Sequence, residues 1–232
     1  MKDQYFGDVN DYRKYGLLRT LTARQSLKLG VAWMLTPPDG RADGSHVAYL
    51  NEPERFRACD PPLFDALRNS LQRRCVRCVS EVRRARLLPG AIFDDTIVPD
   101  AASAREALFK RLLRRFRAAD LIFFDPDNGL EVKSRSWGRP GSAKYLFWRE
   151  AEAAFGQGHS LLIYQHFPRV ERAGYSARLA AELRARTGAA RIFRFHTSGV
   201  LFLLASQPRH ADLLERGAAR MKSVWCGQVQ VG

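Results

Sequence analysis

Apolar positions along this chain follow two rhythms: a helical one, and short continuous runs. Tyr15, Leu18 and Leu21 fall at helical spacing and predict a helix over residues 11–28, with Asp8 or Asn10 placed to cap it. Leu29 to Leu35 is an unbroken apolar run and reads as a buried strand. Phe64, Leu67 and Leu71 place a helix over Leu63–Arg73, and Ala107, Leu108, Leu112 and Phe116 place another behind a Ser103 cap. Short strands are predicted at Cys75–Val79, Ala91–Phe93, Leu121–Asp125 and His159–Tyr164. Leu179 and Leu183 mark a helix over Ser176–Arg186. Arg191–Phe195 and Val200–Leu204 flank His196-Thr-Ser-Gly199 as an antiparallel hairpin, and a last helix covers 209–222. Helices and strands therefore alternate, which predicts a doubly wound, mostly parallel sheet in one α/β domain over residues 1–232. Two stretches break the rhythm: a Pro/Gly loop at 36–62 and a polar, basic loop at 132–145, read as flexible.

Charge changes this picture most. The formal net charge is +14, which favours polyanionic partners such as DNA or RNA. Basic residues cluster at 68–86 and 105–117, the cations of 110–117 on neighbouring helix faces, which favours nucleic-acid binding; a solvated basic face is the alternative. No apolar run is long enough to span a bilayer, so no membrane partner is expected. The polar start, Met1-Lys-Asp-Gln, is unlike a secretory signal, and a cytoplasmic location is the default. In that setting Cys59, Cys75, Cys78 and Cys226 are expected to be reduced. Cys75-Val-Arg-Cys78 has CxxC spacing, but no second ligand pair lies nearby to complete a zinc site. Nothing here fixes an oligomeric state.

The segment Leu121-Ile-Phe-Phe-Asp-Pro-Asp-Asn-Gly-Leu-Glu131 carries the most chemistry. Asp125 closes an apolar strand, at the sheet edge where open α/β proteins bind ligands. Pro126 ends the ladder, and Asn128-Gly129 permits a turn with positive φ. The segment brings Asp125, Asp127, Asn128 and Glu131 into a small volume. His166, following the next strand, is a candidate for the same edge, and Phe167 and Tyr164 are candidate stacking partners.

Four motifs together make the chain similar to the Rossmann-fold adenine-N6 methyltransferases, and in particular to the single-domain type acting on large-subunit ribosomal RNA. Gly7-Asp-Val-Asn-Asp11-Tyr-Arg-Lys14 resembles that family's Gly-Asn-x-x-Asp-x-x-Lys helix start. Asp125-Pro126-Asp127-Asn128 stands where the family has Asp-Pro-Pro-aromatic. Leu161–Tyr164 matches a strand ending in an aromatic, and Thr197-Ser-Gly-Val200 the turn before a last apolar strand. A terminal antiparallel hairpin is also the usual ending of class I methyltransferase-like domains. The resemblance implies S-adenosylmethionine as cofactor, contacted by Asp11, Lys14, Asp39 and Gly40. It implies catalysis around Asp125, Asp127, Asn128 and His166, on a nucleic acid gripped by Arg135, Arg139, Lys144 and Arg169. Asp127 replaces the second proline and Asn128 the aromatic that would stack on a flipped base.

The same acids support a different chemistry. Asp8, Asp125, Asp127 and Glu131, with Asp11, would suit Mg²⁺ or Mn²⁺. With His166 as base and Arg169 on a phosphate, that set would serve a nuclease or phosphodiesterase. A non-catalytic nucleic-acid-binding domain on the same scaffold is the third reading. Trp137 and Tyr145 either stack on bases or anchor the basic loop. Asp11 and Lys14, one helical turn apart, read without the resemblance as a surface pair.

Overall fold

The computed structural model describes residues 2–22, 27–37, 46–73 and 77–232. A seven-stranded sheet forms the centre. Its strands are β1 (Leu29–Ala32), β2 (Ile92–Asp94), β3 (Leu121–Phe124), β6 (Ser160–His166), β7 (Arg191–His196), β8 (Val200–Ser206) and β9 (Gln230–Val231). The order across the sheet is β2-β1-β3-β6-β8-β7-β9. The first four pair in parallel; β8 runs antiparallel to both β6 and β7, and β9 antiparallel to β7. A separate parallel pair joins β4 (Gly129–Leu130) to β5 (Tyr145–Leu146). Neither β4, β5 nor β9 is legible in the sequence, because two-residue strands carry no period.

Eight α-helices accompany the sheet among the described residues: α1 (Val9–Leu21), α2 (Pro53–Phe56), α3 (Pro61–Arg73), α4 (Ser80–Arg84), α5 (Ala102–Arg115), α6 (Trp148–Gly156), α7 (Arg172–Thr187) and α8 (Ala211–Val224). They divide between two buried clusters, one on each face of the sheet. α1, α3, α4 and α8 pack against Leu121, Phe123, Leu162, Phe202 and Leu204. α5, α6 and α7 pack against Ile122, Phe124, Leu161, Leu201 and Leu203. The two-residue alternation of strand side chains thus deals neighbouring residues to opposite cores. This arrangement is compatible with a Rossmann-like fold. No helix among the described residues is long and apolar enough to cross a membrane.

Several sequence expectations shift. The first helix starts earlier and stops at Leu21, where the Thr22 hydroxyl donates to the Leu18 carbonyl at 2.8 Å. The described part of the Pro/Gly loop folds into short helical turns at 48–51, 53–56 and 57–59. Of the strand expected at 75–79, residues 75 and 76 lie outside the described residues. Cys78 and Val79 are not extended into a strand but lead into α4. Ser103 is not the cap of α5, which starts from Ala101. α7 begins four residues early because the Glu171 carboxylate accepts from the Ala173 and Gly174 amides.

The basic loop is not the loose segment its composition suggests. The Asp100 carboxylate takes the Gly141 and Ala143 amides at 2.9 and 2.6 Å. Arg105, fully buried, forks onto Glu150 and donates to the Ser142 carbonyl at 2.8 Å and the Tyr145 carbonyl at 2.6 Å. Arg105 therefore belongs to the interior and not to a basic face. Trp137 lies edge-on to Phe147 and has the guanidinium groups of Arg105 and Arg149 over its ring, so it anchors the loop to the body.

Candidate active site at the carboxyl edge

β2 and β3 lie on opposite sides of β1, so the chain changes direction across the sheet between β1 and β3. In open α/β sheets the crevice outside such a switch point is the ligand site. Asp125 stands there, its amide donating to the Ala32 carbonyl at 3.0 Å. A cleft of about 480 Å³ opens over it, lined by Asp8, Asp11, Lys14, Asp125, Asp127 and Asn128, with Tyr164 and His166 on the β6 side. That size suits a small-molecule ligand (roughly 300–1,000 Å³). Met34, two residues past β1, holds a φ of 45°, a conformation that L side chains rarely adopt. Such backbone is concentrated at functional edges.

α1 delivers the acid–base cluster. Asp8 caps it by accepting the Asp11 amide at 2.8 Å. One turn on, Lys14 Nζ bridges two carboxylates, 2.8 Å from Asp11 Oδ1 and 2.8 Å from Asp125 Oδ2. Asp11 Oδ2 in turn accepts from the Tyr15 hydroxyl at 2.7 Å and the Gly7 amide at 3.1 Å. Lys14 is only 3% exposed and Asp11 1%, which corrects the reading of a surface pair. The Lys14 ammonium also lies over the rings of Tyr164 and Trp33.

Electrostatics follow from this burial. Desolvation works against charge on Lys14, but Asp11 and Asp125 outweigh it, so its pKa is raised and it stays protonated. Burial pushes Asp125 up from the ordinary carboxylate range, against the pull of Lys14. Asp8, buried beside the Asp11 charge, is raised from 3.8 to about 7. Burial would also raise Asp127. The Thr36 hydroxyl, 2.5 Å from Oδ2, and nearby positive charge that includes Lys2 outweigh it and hold Asp127 below its ordinary value. His166 sits at the exposed rim, its pKa lowered by desolvation.

Gln165 holds the Asp-Pro-Asp-Asn-Gly turn in place. Its Oε1 accepts from the Leu130 amide at 2.8 Å, and its Nε2 donates to the Asn128 and His166 carbonyls. Gly129, at φ 117°, lies so close that a Cβ there would sit 2.2 Å from the Gln165 amide oxygen. The Asn128 amide donates to the Lys144 carbonyl at 2.9 Å, tying the turn to the basic loop.

The structure therefore brings Asp8, Asp11, Lys14, Asp125, Asp127, Asn128, Lys144 and His166 to one cleft. Asp39 and Gly40 lie outside the described residues. Arg135, Arg139 and Arg169 are exposed and do not line the cleft. Glu131 leaves the acidic group, because its carboxylate takes the Trp148 amide at the start of α6 at 3.1 Å. Lys14 stands on Asp125 and Glu131 lies elsewhere, so the set Asp8, Asp125, Asp127 and Glu131 is not assembled whole. Among the described residues no three His, Cys, Asp or Glu are spaced for a metal. Phe167 is buried in the core, and of the two candidate stacking partners Tyr164 lines the cleft, as does Tyr5. Tyr15, Thr36 and Gln165 were missed. Only Tyr15, four residues after Asp11, had a signal, the helical spacing itself.

A second polar chain lies at the opposite edge. Ser160 Oγ is 2.9 Å from His210 Nδ1, and His210 Nε2 is 3.4 Å from Asp120. Ser160 is completely buried and also accepts the Gln207 amide at 2.9 Å, so it ties β6 to the chain after β8 and is no accessible nucleophile.

The sheet and the cleft at its switch point define the class, an α/β protein compatible with a Rossmann-like fold. No protein-family model matches this chain, and no curated protein matches it.

Proposed function

We propose that this protein is an S-adenosylmethionine-dependent methyltransferase-like enzyme that acts on an amine of a nucleic acid. The observation that carries the reading is Asp125-Pro126 on the floor of the cleft at the β1/β3 switch point, with Lys14 of α1 ion-paired to it. The antiparallel β7–β8 pair beside the parallel strands is in keeping with it.

The donor set fits such a cofactor. Among the described residues the lining puts Asp8, Asp11, Asp125 and Asp127 beside Lys2, Lys14 and Lys144, so acids are at hand for a cationic ligand. Asp8, Asp11 and Asn128 would hold it, and the bound cofactor would supply an activated methyl group. Asp125, kept in place by Lys14, accepts a hydrogen bond from the target amine and orients its lone pair. The Tyr164 ring offers a stacking face where the family's aromatic is replaced by Asn128. Gln165 keeps the turn that carries Asp125 and Asn128 from shifting.

Calorimetry with S-adenosylmethionine and transfer of labelled methyl to RNA and DNA fragments test the reading. The wild type is expected to bind the cofactor and label one nucleic acid. Asp125→Ala should lose labelling about 100-fold or more, in line with loss of a positioned polar group. Absence of cofactor binding at millimolar concentration would leave a binding domain without this chemistry.

A further inference from the structure

The acids of residues 98–152 are mostly consumed inside the fold, while most cations of the same stretch, Arg105 and Lys144 apart, are left on the surface. Asp100 holds the basic loop, Glu150 holds Arg105, and Glu131 takes the Trp148 amide. On the last turns of α5, Arg111 and Arg115 form one exposed stripe at i and i+4, and Lys110 and Arg114 form the stripe beside it. Arg117, just past the helix, is exposed as well. Of these five, only Lys110 has an ion pair among the described residues, to Glu106 at 3.2 Å. The loop adds exposed Lys133, Arg135 and Arg139.

The fold joins the two groups through one helix. Gly138 packs on the start of α5 so closely that a Cβ would lie 3.0 Å from Ala102 Cβ. Arg105 and Asp100 clamp the far end of the loop to the same end of α5. Lys144, the last residue before β5, lines the cleft. We propose that the loop 133–144 and the outer face of α5 form one track for a nucleic-acid backbone, which leads from the cleft along α5. The track rests on the functional reading above only for the polyanionic partner, not for the cofactor. It has two contact zones, the loop at the first turn of the helix and the cations of its last turns. From Ala102, where the loop docks, to Arg115 the helix rises about 20 Å. That is about six nucleotide steps at roughly 3.4 Å each, so one strand reaches both zones while a base enters the cleft. The arginines at 68–86 and those of α8 are not part of it, since α3, α4 and α8 pack on the other face of the sheet.

Fluorescence anisotropy of the full chain tests the track, with a labelled 24-nucleotide RNA, a DNA duplex of equal length, and phosphatidylserine vesicles, from 50 to 300 mM KCl. One variant combines Arg111→Gln, Arg114→Gln and Arg115→Gln; a second combines Arg135→Gln and Arg139→Gln. The control, Arg216→Gln with Lys222→Gln, removes exposed charge from α8. The helix triple should bind RNA or DNA at least 10-fold more weakly at 100 mM salt and lose about two to three units of salt slope. The loop pair should lose about 5-fold or more, and the control should stay within twofold. Equal losses in control and test variants, wild-type affinity in the helix triple, or wild-type binding to vesicles but not nucleic acid would each overturn the track. All variants carry exposed substitutions, and unchanged thermal melting shows that they are folded. Nucleic-acid binding without cofactor affinity would keep the track and sink the enzyme reading; the reverse result would do the opposite.

Discussion

At the scale of single residues, Lys14 decides the state of the site. It is the cation shared by Asp11 and Asp125, and all three are buried. Lys14→Met keeps the volume and leaves two uncompensated carboxylates, so it should destabilise by roughly 3–5 kcal/mol. Asp125→Asn, which leaves Lys14 paired with Asp11, should cost clearly less; urea denaturation compares the two, and equal losses would contradict this account. Asp8 allows a separate pH test. Its folded pKa of about 7 lies above the 3.8 of an ordinary aspartate, so between these values the folded state keeps a proton that the unfolded chain has released. Its contribution to stability is therefore greatest at low pH, falls as pH rises through that window, and is flat above it. Asparagine still caps a helix but does not titrate. The stability of wild type minus that of Asp8→Asn should fall between about pH 4 and 7, and a difference that is flat or rising would refute the assignment. Asp125 was legible as a strand-end acid. Its partner was not, because Lys14 is 111 residues away and in the sequence looks like half of a surface pair.

At the scale of elements, α1 shows how packing overrides propensity. Gly16 sits mid-helix, where alanine is ordinarily worth about 1 kcal/mol more. Here a Cβ would lie 2.0 Å from the Trp225 ring, and Trp225 is buried between α1 and its neighbours. Overpacking of this kind costs about 1–3 kcal/mol, so it wins. Gly16→Ala is expected to lower the melting temperature; a rise would mean that α8 moves aside at no cost. The basic loop teaches the converse. Glycines, serines and cations predict looseness, yet Asp100 and Arg105, at the start of α5, give its backbone partners. Helices α3, α5, α7 and α8 were legible within a few residues because each buries one stripe. In the strand expected at 75–79, Cys78 and Val79 lead into α4 instead, because a short apolar run does not by itself distinguish a strand from the approach to a helix.

At the scale of the whole molecule, one sheet supports two cores, and each central strand contributes to both. Loss of either helical layer would expose the other face of the same strands. Heating should therefore give one transition, with calorimetric and van't Hoff enthalpies in agreement. Two resolved transitions in scanning calorimetry would show that the layers unfold separately. The division of charge is also a property of the whole. Asp8, Asp11, Asp125 and Asp127 meet at the cleft, while exposed cations line the later turns of α5 and the loop.

The sequence by itself determined the alternation of elements, the α/β class and the carboxyl-edge placement of Asp125, because hydrophobic period and strand-end chemistry are local. Only the tertiary structure decided which charges meet. It moved Lys14 and Asp11 from the surface to the floor of the cleft, took Glu131 away to a helix start, and turned Arg105 inward while leaving the later cations of α5 outside. Those outcomes depend on contacts between residues far apart in the chain, and burial then sets whether a charge must be paired or can stay in water.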